Sequence, residues 1–147
     1  MNSNSSSSGQ VRITHVRDGK VITDESRKNL IVTSGKKWQA ARQKTVGQPA
    51  ELGWMACGTG TTAPAMSDAT LENEIGRVVL ATSGGYVAGN TVTYQAAFNP
   101  GVGTGPLTEV GLFNAAVGGT MVSRVTFPVK NKEAGDTITI TWSHSIN

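Results

Sequence analysis

The stretch TITITWSHSI, Thr137 to Ile146, decides the fold class of this chain. Apolar or aromatic side chains occupy every second position and alternate with hydroxyl side chains; the first set is Ile138, Ile140, Trp142, His144 and Ile146. Successive side chains of a strand point to opposite faces of the sheet, so this alternation predicts a strand with one face on a core and the other toward solvent or a neighbour. NTVTYQAAF, Asn90 to Phe98, has the same pattern.

Further strand-like segments lie along the chain, separated by Gly, Asn and Pro. RVVLAT, LTEVGLFN and TMVSRVTF are three of them. Near the N-terminus, residues 11–15 alternate in the same way, Asp18-Gly19 predicts a tight turn, and VITDE returns, which indicates a hairpin. Short strands divided by turn residues are typical of antiparallel all-β folds. The chain is therefore predicted to be mainly β: an antiparallel β-sandwich, or a Greek-key or jelly-roll-like barrel.

One short helix is predicted within this β-structure. TSGKKWQAARQK, residues 33–44, is rich in helix formers, and Ser34 is a candidate N-cap. The expected length is about three turns. Because Trp38 and Ala41 provide only a narrow apolar stripe, the helix should lie over a sheet.

The chain has the length of one domain with a polar leading segment. At 147 residues it is long enough to bury a core without disulfide bonds. Residues 1–9 are rich in Ser and Asn and too polar to offset their ordering entropy, so they are predicted to form a flexible N-terminal arm. Residues 10–147 are predicted to form a single sandwich domain.

Charge is distributed unevenly along the chain. Residues 1–44 contain nine basic and three acidic residues, a net charge of +6, whereas residues 45–147 carry −3. This asymmetry predicts contact with an acidic surface, either on another protein or on a second copy of the chain. Nucleic acid is a disfavoured partner, because Trp38 is the only aromatic residue among these basic residues that can stack on a base.

The pattern Gly58-x-Gly60-x-x-Ala63 is similar to the start of a dinucleotide-binding loop, but its surroundings argue against that function. Pro64 follows directly, no helix is predicted to open at the glycines, and no βαβ repeat follows. The Gly-Lys-Ser/Thr of a Walker loop is missing as well. GTGTTAP is therefore interpreted as the exit from a strand into a turn.

Residue types that carry catalysis or bind metals are sparse and scattered. His15 and His144 both fall in the apolar phase of predicted strands and are interpreted as structural. Glu72 and Glu74 lie in SDATLENE, where a single helical turn would point their side chains apart. We therefore expect no enzymatic activity, no cofactor and no metal site.

Cysteine content and hydropathy bear on the cellular compartment. The lone Cys57 has apolar neighbours and is expected to be a buried thiol. No apolar run has the length of a membrane helix, and the N-terminus lacks the basic and apolar parts of a signal peptide. The chain is expected to be made in the cytoplasm and to stay there until something carries it out.

Several segments together resemble a group of small virion proteins of tailed bacteriophages. They are NLIVTSGKKW, MACGTGTTAPAMSDATLENEIGR, LTEVGLFNAAVGGTMVSRVTFP and KEAGDTITITW. The order of parts is the same: a basic VRDGK hairpin, a Gly-Thr-Gly-Thr turn, an acidic short helix ending in Glu-x-x-Arg, an EVGLFN strand, a GGTM return and a C-terminal Gly-Asp-Thr strand. The EVGLF strand with its glycine turn is also distantly similar to the N-terminal domain of tail-collar fibre proteins.

This resemblance implies a non-enzymatic structural protein located in the virion. The first expectation is a capsid cement or decoration protein whose partners are the major capsid protein and copies of itself, as a homo-oligomer. The alternative is a tail component, either a fibre-collar domain or an adaptor that binds tail proteins. A third reading, a carbohydrate-binding module, would use Trp54 or Tyr86 near a loop.

Six charged residues are predicted to contact partners. The basic set is expected to meet an acidic surface, and the two acidic residues are expected to accept charges from a neighbouring copy; the six are Arg12, Arg17, Arg27, Lys28, Glu109 and Asp136.

Overall fold

A computed structural model describes residues 7–146 of the chain, which form two stacked antiparallel sheets and one helix. The elements are β1 (Ser7–Arg17), β2 (Lys20–Lys28), β3 (Leu30–Ile31), α1 (Thr33–Ala41), β4 (Trp54–Gly58), β5 (Glu74–Val79), β6 (Tyr86–Ala88), β7 (Thr91–Phe98), β8 (Gly105–Phe113), β9 (Met121–Lys132) and β10 (Thr137–Ile146). Each sheet has five strands. The predicted mainly-β fold is confirmed, and the two separate sheets make it a sandwich.

The first sheet has the strand order β2-β1-β10-β7-β6. Its centre is β10, where Ile138, Ile140, Trp142 and His144 are buried and the alternating Thr and Ser residues are partly exposed, as the period-two pattern predicts. Ile146 is the exception: at the end of the strand it is 69% exposed, although the pattern places it on the core face. The β1–β2 hairpin closes through the expected Asp-Gly turn, where Asp18 and Gly19 have φ values of 52° and 73°. Two consecutive residues with positive φ match the right-handed twist of the flanking strands.

The second sheet has the order β3-β9-β8-β4-β5, and its inner face packs on the first sheet. The main core between the sheets includes Phe98, Leu112, Ile140 and Trp142, each essentially without exposed surface. A smaller apolar cluster contains Ala56, Leu71, Phe113 and Met121, with Trp54 packed against it. The second sheet is therefore covered over part of both faces.

The helix lies against β9, as predicted, but begins differently from the expectation. Its nine residues are shorter than three full turns. Val32 occupies the N-cap, and the Ser34 hydroxyl instead donates a hydrogen bond of 2.8 Å to the carbonyl of Met121. Gly35 lies so close to the backbone of Val122 that a side chain there would collide with it. Ser34 thus fastens the helix to the sheet and does not cap it.

Two further sequence expectations differ from the structure. Residues 67–73 form turns and bends, and Glu74 already begins β5, so the predicted helical turn does not form. Of the predicted arm, residues 1–6 lie outside the described residues. Ser7 to Gly9 belong to β1 and pair with β10 opposite residues 144–146, so the sheet starts earlier than predicted.

His144 is a buried, uncharged member of the core at the end of β10. Its ring meets Tyr94 and Trp142 edge-on, with centroids 5.5 and 6.3 Å apart. Its Nε2 lies 3.3 Å from both the Asn29 amide and the Ser123 hydroxyl. Burial lowers the pKa of His144 to about 4, because a charged ring would lose its hydration there.

This burial predicts a pH-dependent stability. Between the unfolded pKa of 6.5 and the folded value of about 4, the unfolded chain binds the proton more readily, so stability is lost as pH falls through that window. Urea unfolding should show a free energy of unfolding about 2 kcal/mol lower at pH 5 than at pH 7. The His144→Gln variant should lack most of this difference. An equal pH dependence in both proteins would contradict the assignment.

Candidate interaction surface

The six charged residues predicted to contact partners differ in burial. Glu109 and Asp136 are buried, with 0% and 1% exposure, and are held by groups within the chain. Arg12, Arg27 and Lys28 lie on the exposed β1–β2 hairpin. Arg17 is half-buried and bound to one of the buried carboxylates, Asp136.

Glu109 is the centre of a buried polar cluster on the outer face of β8. Its Oε2 accepts hydrogen bonds from the backbone N–H of Gly60 at 2.7 Å and of Asn73 at 2.9 Å. Its Oε1 accepts one from the N–H of Glu72 at 2.9 Å and one from Nε of Arg124 at 3.0 Å. Charge-assisted bonds of this kind compensate a buried carboxylate. Glu109 therefore fastens the segment between β4 and β5 onto the second sheet.

The glycines that begin this segment are required by the same carboxylate. A Cβ at Gly60 would collide with Oε2 of Glu109 and with the Cβ of Glu72, and one at Gly58 would collide with the carbonyl oxygen of Asn73. The Thr108 hydroxyl adds a hydrogen bond of 2.7 Å to the carbonyl of Gly60. The Gly-Thr-Gly pattern is therefore explained by the close approach of a loop to a buried side chain. Strand β4 ends at Gly58, as predicted, and continues into this loop without a tight turn.

Arg124, which the sequence analysis did not select, supplies the balancing charge. It is 2% exposed, and its Nη1 lies 3.0 Å from Oδ2 of Asp68, so it joins Asp68 and Glu109 across the loop. The signal in the sequence is an arginine inside the apolar run MVSRVTF of β9. A charged residue at such a position needs a buried partner of opposite sign.

Asp136 organises a second buried cluster at the turn between β9 and β10. Its carboxylate accepts hydrogen bonds from Arg17, from the N–H of Glu133 at 2.9 Å, and lies 2.8 Å from Nε2 of His15. These contacts, led by the Arg17 guanidinium, hold the pKa of Asp136 well below its usual range. His15 is 2% exposed and has the structural position that the sequence predicted.

These two clusters correct the expectation for Glu109 and Asp136. A carboxylate without exposed surface, whose lone pairs are taken by internal donors, is not accessible to a cation of a neighbouring copy. Arg17 is bound to Asp136 through Nη2 at 2.8 Å, so its guanidinium already has a counter-charge within the domain. The exposed Arg12, Arg27 and Lys28 remain predicted partner contacts.

The exposed strand β2 is the most strongly charged surface element of the hairpin. All of its residues are exposed except Glu25, which is intermediate. Arg12 binds Asp24 through two hydrogen bonds of 3.0 and 2.7 Å, which lower the pKa of that carboxyl. Glu25 reaches across to Lys130 of the second sheet, with Oε1 2.7 Å from Nζ. The strand therefore presents both signs of charge along one edge.

An open groove runs beside this edge, between β2 and the second sheet. It measures about 420 Å³ and is lined by residues 25–28, Pro64, Val125 and Thr126. A smaller groove of about 220 Å³ shares Arg27 and Thr126 and continues toward Thr108 and Pro128. Neither is enclosed by apolar walls as small-molecule sites are. The grooves add contact area beside a strand edge.

Other candidate chemistry in the described residues is limited. Residues 7–146 contain no group of three or more His, Cys, Asp or Glu arranged to hold a metal ion. Cys57 is buried as predicted, and burial raises its pKa to about 12. Trp54 packs against the small apolar cluster, whereas Tyr86 is 66% exposed on β6. No helix within the described part of the chain is long and apolar enough to span a membrane.

Comparison of the chain with protein-family models, with curated proteins and with solved structures gives no match in any of the three.

Replacing Glu109 by Gln should destabilise the domain strongly. The substitution leaves Arg124 without its buried counter-charge and turns an N–H₂ group toward backbone N–H donors, which should cost about 3–5 kcal/mol in urea unfolding at neutral pH. Glu133→Gln is the matched control, because that side chain is 68% exposed and should leave stability almost unchanged. Similar stabilities for the two variants would refute the role assigned to Glu109.

Replacing Gly60 by Ala should also destabilise the domain, because the added methyl group displaces Glu109 or the loop backbone. The control is Gly135→Ala, where an added Cβ meets nothing within 4 Å. We expect a lower midpoint of thermal unfolding for the first variant only. Equal midpoints would show that the loop adapts without loss.

Proposed function

We propose that this chain is a non-enzymatic structural protein of a tailed-phage virion, most simply a capsid cement or decoration protein that bridges major capsid subunits. The resemblance of its segments to small phage virion proteins supports this proposal. The distribution of its charged groups supports it as well. The buried carboxylates of Glu109 and Asp136 bind groups of their own chain, and exposed charges of both signs lie along the edge strand β2.

The observation that carries the proposal is this charged, open edge on a domain whose buried carboxylates, Glu109 and Asp136, are already bound by donors of the same chain. A catalytic site needs ionisable groups that converge on a substrate, whereas Glu109 and Asp136 converge on their own chain. A strand edge with exposed cations and anions is suited to binding protein. On a symmetric lattice, many modest contacts of this kind add up, because releasing one subunit requires several to break.

A tail component is the second candidate. The segment that resembles tail-collar fibre domains, EVGLF, is the middle strand of the second sheet and carries Glu109. The likeness therefore lies in the central strand of a sheet and not in an exposed binding surface. It fits a fibre-collar domain and an adaptor equally well. Both candidates share the same fold and the same exposed edge.

Copy number in purified particles distinguishes the two candidates. Quantitative mass spectrometry against the major capsid protein should give hundreds of copies per particle for a cement protein and about six or twelve for a tail component. Particles stripped of a cement protein should also lose heat and osmotic resistance. Absence of the chain from purified particles would refute both.

Incorporation into particles should depend on the charge of the β2 edge. The double variant Arg27→Glu/Lys28→Glu reverses two exposed charges that bind no buried group and should reduce incorporation. Lys36→Glu/Lys37→Glu makes the same charge change on the exposed face of α1 and is the matched control. Variants of Arg17 are unsuitable, since they also remove the partner of Asp136. Equal incorporation of both double variants would contradict the prediction.

A further inference from the structure

Strand β2 leaves one full side of its backbone unpaired. It is the outermost strand of the first sheet and pairs with β1 from Lys20 to Lys28. Within residues 7–146 no other strand pairs with its outer side. On that side every second residue directs its N–H and C=O groups outward, and such an edge is a template for adding another strand.

The C-terminal half of this strand is self-complementary in charge. The sequence Asp24-Glu25-Ser26-Arg27-Lys28 has two acidic residues before Ser26 and two basic residues after it. If two copies of this segment pair antiparallel with Ser26 opposite Ser26, Asp24 of each copy lies opposite Lys28 of the other. Glu25 of each copy likewise lies opposite Arg27 of the other. Opposite charges directly across a strand pair are stabilising, and like charges are destabilising.

We propose that two copies of this chain associate through β2, antiparallel and centred on Ser26, so that the first sheets of both copies join into one continuous sheet. The occupant of the edge is a second copy of the same chain. A two-fold axis through Ser26 makes the contact isologous, as most symmetric dimers are. The inference does not depend on the virion assignment.

The side chains already on each face of the hairpin support this register. Asp24 and Lys28 share the outer face with Arg12, because they lie opposite Thr14 and Gln10 in the β1–β2 pairing. In the dimer, Asp24 would lie between Arg12 of its own chain and Lys28 of the second copy. Each outer-face carboxylate would then have a cation on both sides.

Glu25 and Arg27 lie on the opposite, inner face of β2, and the proposed register supports them in the same way. Glu25 already contacts Lys130, and its next cationic neighbour among residues 7–146, Arg27, is 3.9 Å away. The second copy would bring its own Arg27 opposite Glu25. The groove of about 420 Å³ beside Glu25 and Arg27 gives that guanidinium space. The charges of β2 are thus only partly neutralised within one copy.

Neighbouring registers are disfavoured by the same residues. Moving the centre to Glu25 or to Arg27 places two identical charges opposite each other on the axis. Moving it to Asp24 does the same with the two Asp24 carboxylates. The charge order therefore selects Ser26 as the centre, and the exposed charges deter pairing with unrelated apolar strands.

Cysteine cross-linking tests the register directly. Ser26→Cys places two thiols opposite each other across the axis, with Cα atoms about 4.5–5.5 Å apart, within the range for a disulfide bond. Ile22→Cys, exposed on the same strand, is the matched control, since its two copies would lie about 27 Å apart. Mild oxidation should give a covalent dimer with Ser26→Cys only. The native Cys57 is buried and should not react.

Charge reversal with rescue tests the partner. In the Ser26→Cys background, Lys28→Asp sets Asp opposite Asp, and Asp24→Lys sets Lys opposite Lys, so each protein alone should cross-link about tenfold less. Mixed together, they restore every opposite-charge pair and should form a heterodimer, distinguishable by mass. Circular dichroism would verify that all variants are folded.

Three outcomes would overturn the proposal. They are no dimer with Ser26→Cys at submillimolar concentration, equal cross-linking of Ile22→Cys, and failure of the mixed variants to recover. Capture of a different protein by Ser26→Cys in a particle lysate, without the homodimer, would assign the edge to that protein and would also refute a second copy as its occupant.

Discussion

The buried carboxylate of Glu109 is the constraint on which the second sheet depends. A carboxylate without exposed surface is tolerated only when its oxygens are satisfied, and here four donors from the loop and from β9 do so. The loop cannot approach without glycine at 58 and 60, and Arg124 cannot be buried without an anion beside it. The buried carboxylate, the two glycines and the buried arginine therefore each require the others. Together they cover a sheet face that would otherwise be open to water.

The sequence predicted those parts of the fold that depend on local chemistry. Period-two alternation in residues 137–146 needs only the geometry of a strand, and Asp18-Gly19 needs only a turn with positive φ, so both were predicted correctly. The role of Glu109 could not be predicted in this way. Its hydrogen bond to Gly60 joins residues 49 positions apart, and alternation alone places Glu109 on a face that looks exposed. Only the covering loop makes that face an interior.

The two wrong local predictions have the same cause. The segment before β5 has residues that favour a helical turn, but the N–H groups of Glu72 and Asn73 are taken by Glu109, which holds the backbone in another conformation. Ser34 is a good N-cap residue by type, yet its hydroxyl finds the carbonyl of Met121 on the sheet. In both places a tertiary hydrogen bond outweighs a local preference worth about 1 kcal/mol or less.

The interior also determines what charge is left for the surface. All four basic residues after position 44 engage carboxylates or carbonyls within the chain; they are Arg77, Arg124, Lys130 and Lys132. The cations available to a partner therefore come from the first third, where β2 forms an unprotected sheet edge. An edge of this length would invite aggregation if it were apolar. Charges of both signs oppose aggregation, and in the dimer proposed above their order along the strand would also select the same strand, reversed, as the partner.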